Sequence, residues 1–461
     1  MTSITMNPAE AVVLERRLRD HPRGLFVLAG TELWDRVSFH GMLALLTLYM
    51  AEQLLLPGHV EKIAGFVQFR SAIEALTGSL SIEALAAQIF GLYVGLAYVS
   101  PLLGGWCGDR LTGRRRAVSA GAVLMALGHF CMTFDRTFLL ALLLLIGGAG
   151  LLRPNLASQV GRLYAEGDRR RDDAFQFYVA MLNSGAFVAP LVTGLLAKDF
   201  GWHFGFGFAG IGMLVGLAVY LGGARHLPAE PLPEQRALRR PLAPDERRMI
   251  VALAALLPML MMFWVAQSQV WNVYNIWARD HLDLAIGSWT MPVAWLQSID
   301  ALAAVALVPP ILAQWRWQAA RGREPDAIVK LAIGCAVFGL AMAWLAAGQL
   351  VAGASGKVPL VWDFCFHLIA GYGYLHVQPV AIGLFARRAP APVNARMLSV
   401  YFLSIFAGST ISGRLGGLYE TLSPAQFWLM HAAVVGTGGI VFVAFGGPLR
   451  KRLCSADEAT S

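Results

Sequence analysis

The sequence predicts an all-α polytopic membrane protein with twelve transmembrane helices. Three observations lead there. Of the 461 residues, 57% are hydrophobic and only 14% are charged, with a mean hydropathy of +0.56. A soluble domain carries about 25% charged residues, so composition excludes a water-soluble globular enzyme. The apolar residues run unbroken, as in Phe138-Leu-Leu-Ala-Leu-Leu-Leu-Leu-Ile146; a membrane barrel would need alternating segments of about ten residues. Finally, Lys and Arg fall on alternate sides of the proposed spans.

Apolar windows between charged or Pro/Gly-rich breaks place spans at 24–50, 86–106, 117–134, 137–161, 174–196 and 204–224, then 249–275, 289–314, 327–352, 358–386, 395–418 and 424–448. With both termini cytoplasmic, 28 Lys and Arg lie in or beside inner loops and tails and 6 on the outer side, while Arg36, Arg153 and Arg414 lie within spans. A missed or invented span would invert every later loop, so this bias fixes the topology. It also accounts for the net charge of +8 without a nucleic-acid partner. The Arg-rich first 23 residues do not read as a cleavable signal peptide. The excess of 32 Arg over 5 Lys suits a GC-rich bacterial genome, and the expected location is a bacterial inner membrane.

The expected organisation is a cytoplasmic segment 1–23, a six-helix bundle 24–224, a linker 225–248, a second bundle 249–448 and a tail 449–461. The linker is rich in Pro, Arg and Glu (His226-Leu-Pro-Ala-Glu-Pro-Leu-Pro-Glu-Gln-Arg) and reads as a solvated connection. Six spans, a basic linker and six more is the arrangement of major-facilitator transporters, whose repeats enclose a midplane cavity. The outer segment 51–85 is expected to extend its flanking helices beyond the bilayer. The five cysteines form no Cys-x-x-Cys or Cys/His spacing, so no metal and no disulfide framework are implied.

Buried ionisable residues cost several kcal/mol each and mark polar pathways. The first span carries Glu32, Asp35 and Arg36 in Thr31-Glu-Leu-Trp-Asp-Arg-Val-Ser-Phe-His-Gly41. Spacings of three and four residues put them on one helical face, and His40 continues the stripe a turn later. Two carboxylates beside a guanidinium can trade a proton for a salt bridge: protonating an acid frees the Arg for an anionic ligand. A static ion cluster locking helices together is the competing reading.

This segment resembles the Glu-x-x-Glu-Arg-Phe-x-Tyr-Tyr-Gly motif of the proton-coupled oligopeptide transporters, a major-facilitator branch, with Asp35, Val37, Phe39 and His40 as departures. Pro101-Leu-Leu-Gly-Gly-Trp-Cys-Gly-Asp-Arg-Leu-Thr-Gly-Arg-Arg115 resembles that family's loop between spans two and three. Gly148-Ala-Gly-Leu-Leu-Arg-Pro-Asn155 resembles its fourth-span motif, with Arg153 for Lys. Phe177-Tyr-Val-Ala-Met-Leu-Asn-Ser-Gly185 resembles its fifth-span signature. The second half diverges more. Phe263-Trp264 and Gln269 are similar to span seven, but Ser268 stands where many relatives have an acid. Trp295-Leu-Gln-Ser-Ile-Asp300 is similar to span eight, with Asp300 replacing Asn. In Gly373-Tyr-Leu-His-Val-Gln-Pro379, Tyr374 occupies the place of the span-ten glutamate that holds the peptide amino terminus in the family. The family's bacterial members often carry two extra helices between the halves, for which this linker is too short.

The resemblance implies a proton-coupled symporter importing di- or tripeptides by alternating access, acting as a monomer in the bilayer with no cofactor beyond the proton gradient. Glu32, Asp35, Arg36 and Asp300 are the candidates for proton coupling. Arg36, His40, Tyr98, Arg153, Asn183, Gln297, Asp300 and Tyr374 are the candidates for substrate contact; Asp109, Arg110 and Arg114 are read as gating residues. Asp300 either takes over from the missing glutamate or pairs with Arg414 or a backbone amide. Asn183 and Gln297 suit a peptide bond or an interhelical hydrogen bond equally. His129, His367 and His376 read as titrating groups or helix contacts, and Asp363, near a span end, is expected to reach water. Two other readings stay open: a carrier of modified peptides, siderophore-like products or drugs, and a non-transporting receptor on the same fold. An enzyme is not expected: Gly353-Ala-Ser-Gly356 matches an intramembrane protease motif only as four small turn-formers, and no Walker-type phosphate loop is present.

Overall fold

The computed structural model describes residues 20–165, 168, 170–230, 242–353, 356–390 and 393–453. Most of segment 1–23, the middle of the linker, the end of the tail, and Ala354 and Ser355 of the protease-like motif lie outside the described residues.

Among the described residues, twelve principal helices follow one another: α1 (Arg23–Tyr49), α2 (Ile82–Val99), α3 (Arg114–Cys131), α4 (Phe138–Gly161), α5 (Arg170–Phe200) and α6 (Trp202–Gly222). Then come α7 (Leu257–Gln269), α8 (Trp295–Ala319), α9 (Ala327–Ala352), α10 (Leu360–Arg388), α11 (Asn394–Gly416) and α12 (Pro424–Leu453). Among the described residues, nine helical runs are long and apolar enough to cross a membrane. The three others, α1, α3 and α11, carry the polar residues that dilute their hydropathy, including the Glu32–Asp35–Arg36 group. The chain is an all-α, multi-span membrane protein with the major-facilitator fold. Prolines lie inside α4 (Pro154), α5 (Pro190), α8 (Pro309 and Pro310), α10 (Pro379) and α12 (Pro448), as membrane-spanning helices tolerate.

Two apolar cores form. One is built mainly between Leu25 and Leu227, the other between Ala252 and Leu453. Helix α1 is buried on nearly every side because α5 and α6 pack along it, so its sequence shows no single apolar stripe. The cores meet along α2 against α11 and α5 against α8. At Gly91 the α2–α11 approach is backbone to backbone: a Cβ there would lie 2.3 Å from the Ser409 carbonyl oxygen.

Local chemistry redraws several expected boundaries. Segment 51–85 prolongs its neighbours briefly, α1 through a π-helical turn (Met50–Leu54) and α2 from Ile82. Between these it forms a 3₁₀ turn (Val60–Lys62) and a separate helix (Phe66–Thr77), which Gly65 (φ 76°) and Gly78 (φ 79°) bound on its two sides. The seventh span is split into Pro244–Ala254, α7 and Val273–His281, with Pro258 opening α7 and Asn272 (φ −108°, ψ −107°) breaking the chain before the last piece. The eighth starts at Trp295 rather than 289, because Ala285–Ile286 pairs antiparallel with Trp289–Thr290 as a small hairpin.

Hydrogen bonds and ion pairs that join the two groups of helices gather toward the face carrying residues 50–81. Arg279 reaches Glu52 (3.3 Å) and Glu83 (3.1 Å), Ser81 bonds Glu420, and Lys198 donates to the Thr290 carbonyl. Deeper in, Asn272 donates to the Ala87 carbonyl (3.1 Å), Trp295 to that of Leu191 (3.0 Å) and Ser298 to that of Phe187 (2.7 Å).

Candidate functional site

The first-half site is built on three helices. On α1, Arg36 Nε donates to Glu32 Oε1 at 2.7 Å and lies 3.6 Å from Asp35 Oδ2. From α4, Arg153 Nε donates to the same Asp35 oxygen at 3.2 Å, and its guanidinium carbon stands 3.9 Å from the centre of the Phe39 ring. From α5, the Tyr178 hydroxyl donates to Glu32 Oε2. The i,i+4 turn brings Glu32 to Arg36, and Gly185 lets α5 close on α1: a Cβ there would lie 2.5 Å from the Leu33 carbonyl oxygen.

Burial within this group is graded. Asp35 and Glu32 are almost wholly enclosed, whereas the Arg36 and Arg153 side chains keep 16% and 11% exposure. Asp35 is shared by two guanidiniums, so releasing either leaves it still paired. One Arg153 terminal nitrogen has no hydrogen-bond partner among the described residues. That leaves a cationic, geometrically fixed donor beside a carboxylate pair, suited to an anionic oxygen. His40 lies within electrostatic reach of both guanidiniums and packs against Phe39 and Trp271.

In the second half, Asp300 on α8 faces His367 Nδ1 on α10 at 3.4 Å. Arg414, its alternative mate, is exposed on α11 instead. Asp363 does not reach water as expected. It is fully buried and accepts from the Tyr274 hydroxyl, whose oxygen is 2.9 Å from His367 Nε2. The chain folds back so that Tyr274, in Val273–His281, packs on Phe366 and His367 at this end of α10.

Tyr374 and Tyr98 lie within electrostatic reach of each other, and Tyr374 also of Asp300 and Arg36. Tyr98 stacks on Phe402 with ring centres 6.3 Å apart, and Tyr374 packs edge-on to Trp264. Asn183, on α5 beyond Tyr178, is partly buried. Gln297 is fully buried, and its amide nitrogen donates to the Val270 carbonyl and Asn275 Oδ1, each at 2.7 Å, while its Oε1 has no hydrogen-bond partner among the described residues. Ser268, in the place of an acid, shares a 2.8 Å hydrogen bond with Ser409 of α11.

At the opposite face, Arg114 pairs with Asp109 (2.8 Å), while Arg110 is exposed beside them. Arg115 bonds the Leu227 and Pro228 carbonyls at 2.6 and 2.9 Å, tying this loop to the start of the linker. Sequence reasoning did not assign Tyr178 and Tyr274 to the charged groups. Tyr178 lies inside the fifth-span signature; nothing short of the fold brings Tyr274 to Asp363.

Fold and site together define a multi-span carrier of the major-facilitator class with a buried, shared-ion centre. The POT family model matches residues 115–241 and 234–429, and the chain belongs to the POT family. It is 25% identical to a di-/tripeptide transporter of Lactococcus lactis subsp. cremoris over 95% of this chain and 97% of that protein. It is 27% identical to the peptide transporter YePEPT of Yersinia enterocolitica, covering 86% and 88%. A crystal structure of a peptide transporter POT in complex with alafosfalin is 26% identical and superposes with a TM-score of 0.80, covering 94% of this chain and 96% of that one.

Proposed function

We propose that this chain is a proton-coupled symporter that imports di- or tripeptides, or peptide-like molecules, across a bacterial inner membrane with both termini cytoplasmic. The observation that carries the reading is Asp35 Oδ2 held between Arg36 and Arg153, with Glu32 bonded to Arg36 and Tyr178. Protonating Glu32 or Asp35 weakens its hold on a guanidinium, and the freed Arg takes the substrate carboxylate; losing the proton restores the internal pair. Asp300 supplies the opposite, negative pole for an ammonium group, with Tyr374, Tyr98, His40 and Asn183 lining the space between. Gln297 acts one step removed, holding α8 to the Val270–Asn275 break.

The peptide-transporter relatives and the ordered first-half motifs support this cargo. The bonds gathered at the 50–81 face support a state closed on the outer side, as alternating access by rocking of bundles 24–224 and 249–448 about the linker 225–248 requires in one of its states. The proton gradient is the energy source, no cofactor takes part, and the single chain is the working unit.

The test is uptake of labelled dialanine by the purified chain in proteoliposomes. An inward proton gradient should concentrate the label above the outside level, and collapsing the gradient with an ionophore should abolish this. Equal labels inside and out with the gradient intact would overturn the proposal.

A further inference from the structure

We infer that Asp300, His367, Asp363 and Tyr274 form a second proton-binding site, in the second half of the molecule and separate from the Glu32–Asp35–Arg36–Arg153 group. The inference rests on the symport reading for its use but on its own geometry for its existence.

Asp363 and His367 are one turn apart on α10, and Asp363 Oδ2 lies 3.6 Å from His367 Nε2. With Asp363 ionised, the Tyr274 hydroxyl donates its only hydrogen to Asp363 Oδ1, so toward His367 Nε2 at 2.9 Å it offers lone pairs alone. Nε2 must then carry a hydrogen. That fixes the ring: its other nitrogen, Nδ1, faces Asp300 Oδ1 at 3.4 Å as a bare lone pair unless a proton lies between them. A lone pair against a carboxylate is repulsive, and one proton on that line removes the repulsion, whether it resides on nitrogen or on oxygen.

The titratable groups that meet the imidazole are Asp363 from its own helix, Asp300 from α8 and Tyr274 from Val273–His281. The other neighbours are aromatic: Phe366 packs on both His367 and Tyr274, and Trp277 and Trp428 close around Tyr274. Tyr274, Asp363 and His367 are fully buried, while the Asp300 side chain keeps 18% exposure. Asp300 is therefore the end at which the proton enters and leaves. Loading adds one proton, breaks no other bond, and takes the three groups from two negative charges to one. The acids oppose the two nitrogens of the ring, so the site is a line for a proton and not a cage around an ion.

The line replaces, on α8 and α10, the acid that is absent where Tyr374 stands. Proton occupancy here sets the charge that the second-half wall presents to cargo, so driven uptake should depend on His367 even though His367 itself faces protein.

The experiment uses the full chain in proteoliposomes and compares dialanine counterflow, run without a gradient, with accumulation driven by an inward proton gradient. His367→Gln and Asp363→Asn are expected to lose accumulation by about tenfold, the equivalent of one pKa unit of proton binding, while counterflow is lost by no more than about twofold. Undiminished accumulation, or parallel loss of both modes, would overturn the inference. If the wild type moves no dialanine in either mode, the peptide reading fails and the proton site is judged separately. In that case, nitrogen NMR of histidine-labelled protein, with His367→Gln for assignment, should show Nε2 protonated throughout the range from about pH 5 to 8 and an Nδ1 signal displaced by Asp300→Asn. A ring signal indifferent to Asp300→Asn would sink the site.

Discussion

The two charged groups solve the same physical problem in different ways. In the first half, carboxylates are neutralised by permanent cations: Arg36 and Arg153 share Asp35, and Tyr178 completes Glu32. In the second half the acids meet a histidine and a phenol, both of which can give up a proton. Guanidinium never does so under working conditions. The first group can therefore respond to a proton only by exchanging partners, whereas the second can bind the proton within itself. The contrast teaches that a missing family acid need not mean lost chemistry, because acids on two helices and a histidine between them can hold the same proton.

The strongest way to break this contrast is Asp35→Ala. It strips the shared acid from two enclosed guanidiniums, and breaking a buried pair costs about 3–5 kcal/mol. The purified variant should melt far below wild type in detergent and drive no uptake; wild-type melting would show the ion group to be dispensable for folding. Next come the phenols. Tyr178→Phe and Tyr274→Phe each remove a hydrogen bond to a buried carboxylate, worth about 1.5–3 kcal/mol. Thermal unfolding should place both below wild type, and a neutral Tyr274→Phe would undo the equivalence of the two groups.

Arg153→Lys keeps the charge but loses the planar face on Phe39 and the forked donor, a difference of about 1 kcal/mol. Dialanine affinity should weaken about fivefold in a competition assay, with little change in melting temperature. The smallest effect is expected at the 50–81 face. The side chains of the Arg279 network are about one-third exposed, so Arg279→Ala should cost under about 1 kcal/mol. It should still shift the balance toward the outward-open form, raising maleimide labelling of a cysteine placed at Thr47, which labels poorly in the closed form.

Much of the first-half site was legible because it is local. Glu32, Asp35 and Arg36 share a helical face by spacing alone, and Arg153 and Tyr178 lie inside short motifs whose residues stay together in the fold. The second-half site was not, because it is assembled across the chain: Tyr274 and Asp363 are 89 positions apart. Asp363 and His367 do carry an i,i+4 signal, but proximity to a span end suggested solvent, and only the packing of Val273–His281 across α10 shows the acid to be covered. The segment 51–85 was legible only in part. Its flanking helices do extend into it, to Leu54 and from Ile82, whereas the separate helix Phe66–Thr77 is set off by Gly65 and Gly78 at positive φ. Gln297 illustrates the limit of residue type as a guide, since the nitrogen of an amide that suits a peptide bond is already engaged here by Val270 and Asn275.

The contact at Gly91 has a mechanical consequence. At Gly91 α2 lies on α11 through bare main chain, so at that point no side chains have to disengage for one bundle to roll on the other, although Tyr98 and Phe402 stack further along the seam. Such a seam works as a bearing, and a single methyl group at Gly91 would act as grit in it: Gly91→Ala should slow turnover while leaving both ion groups intact.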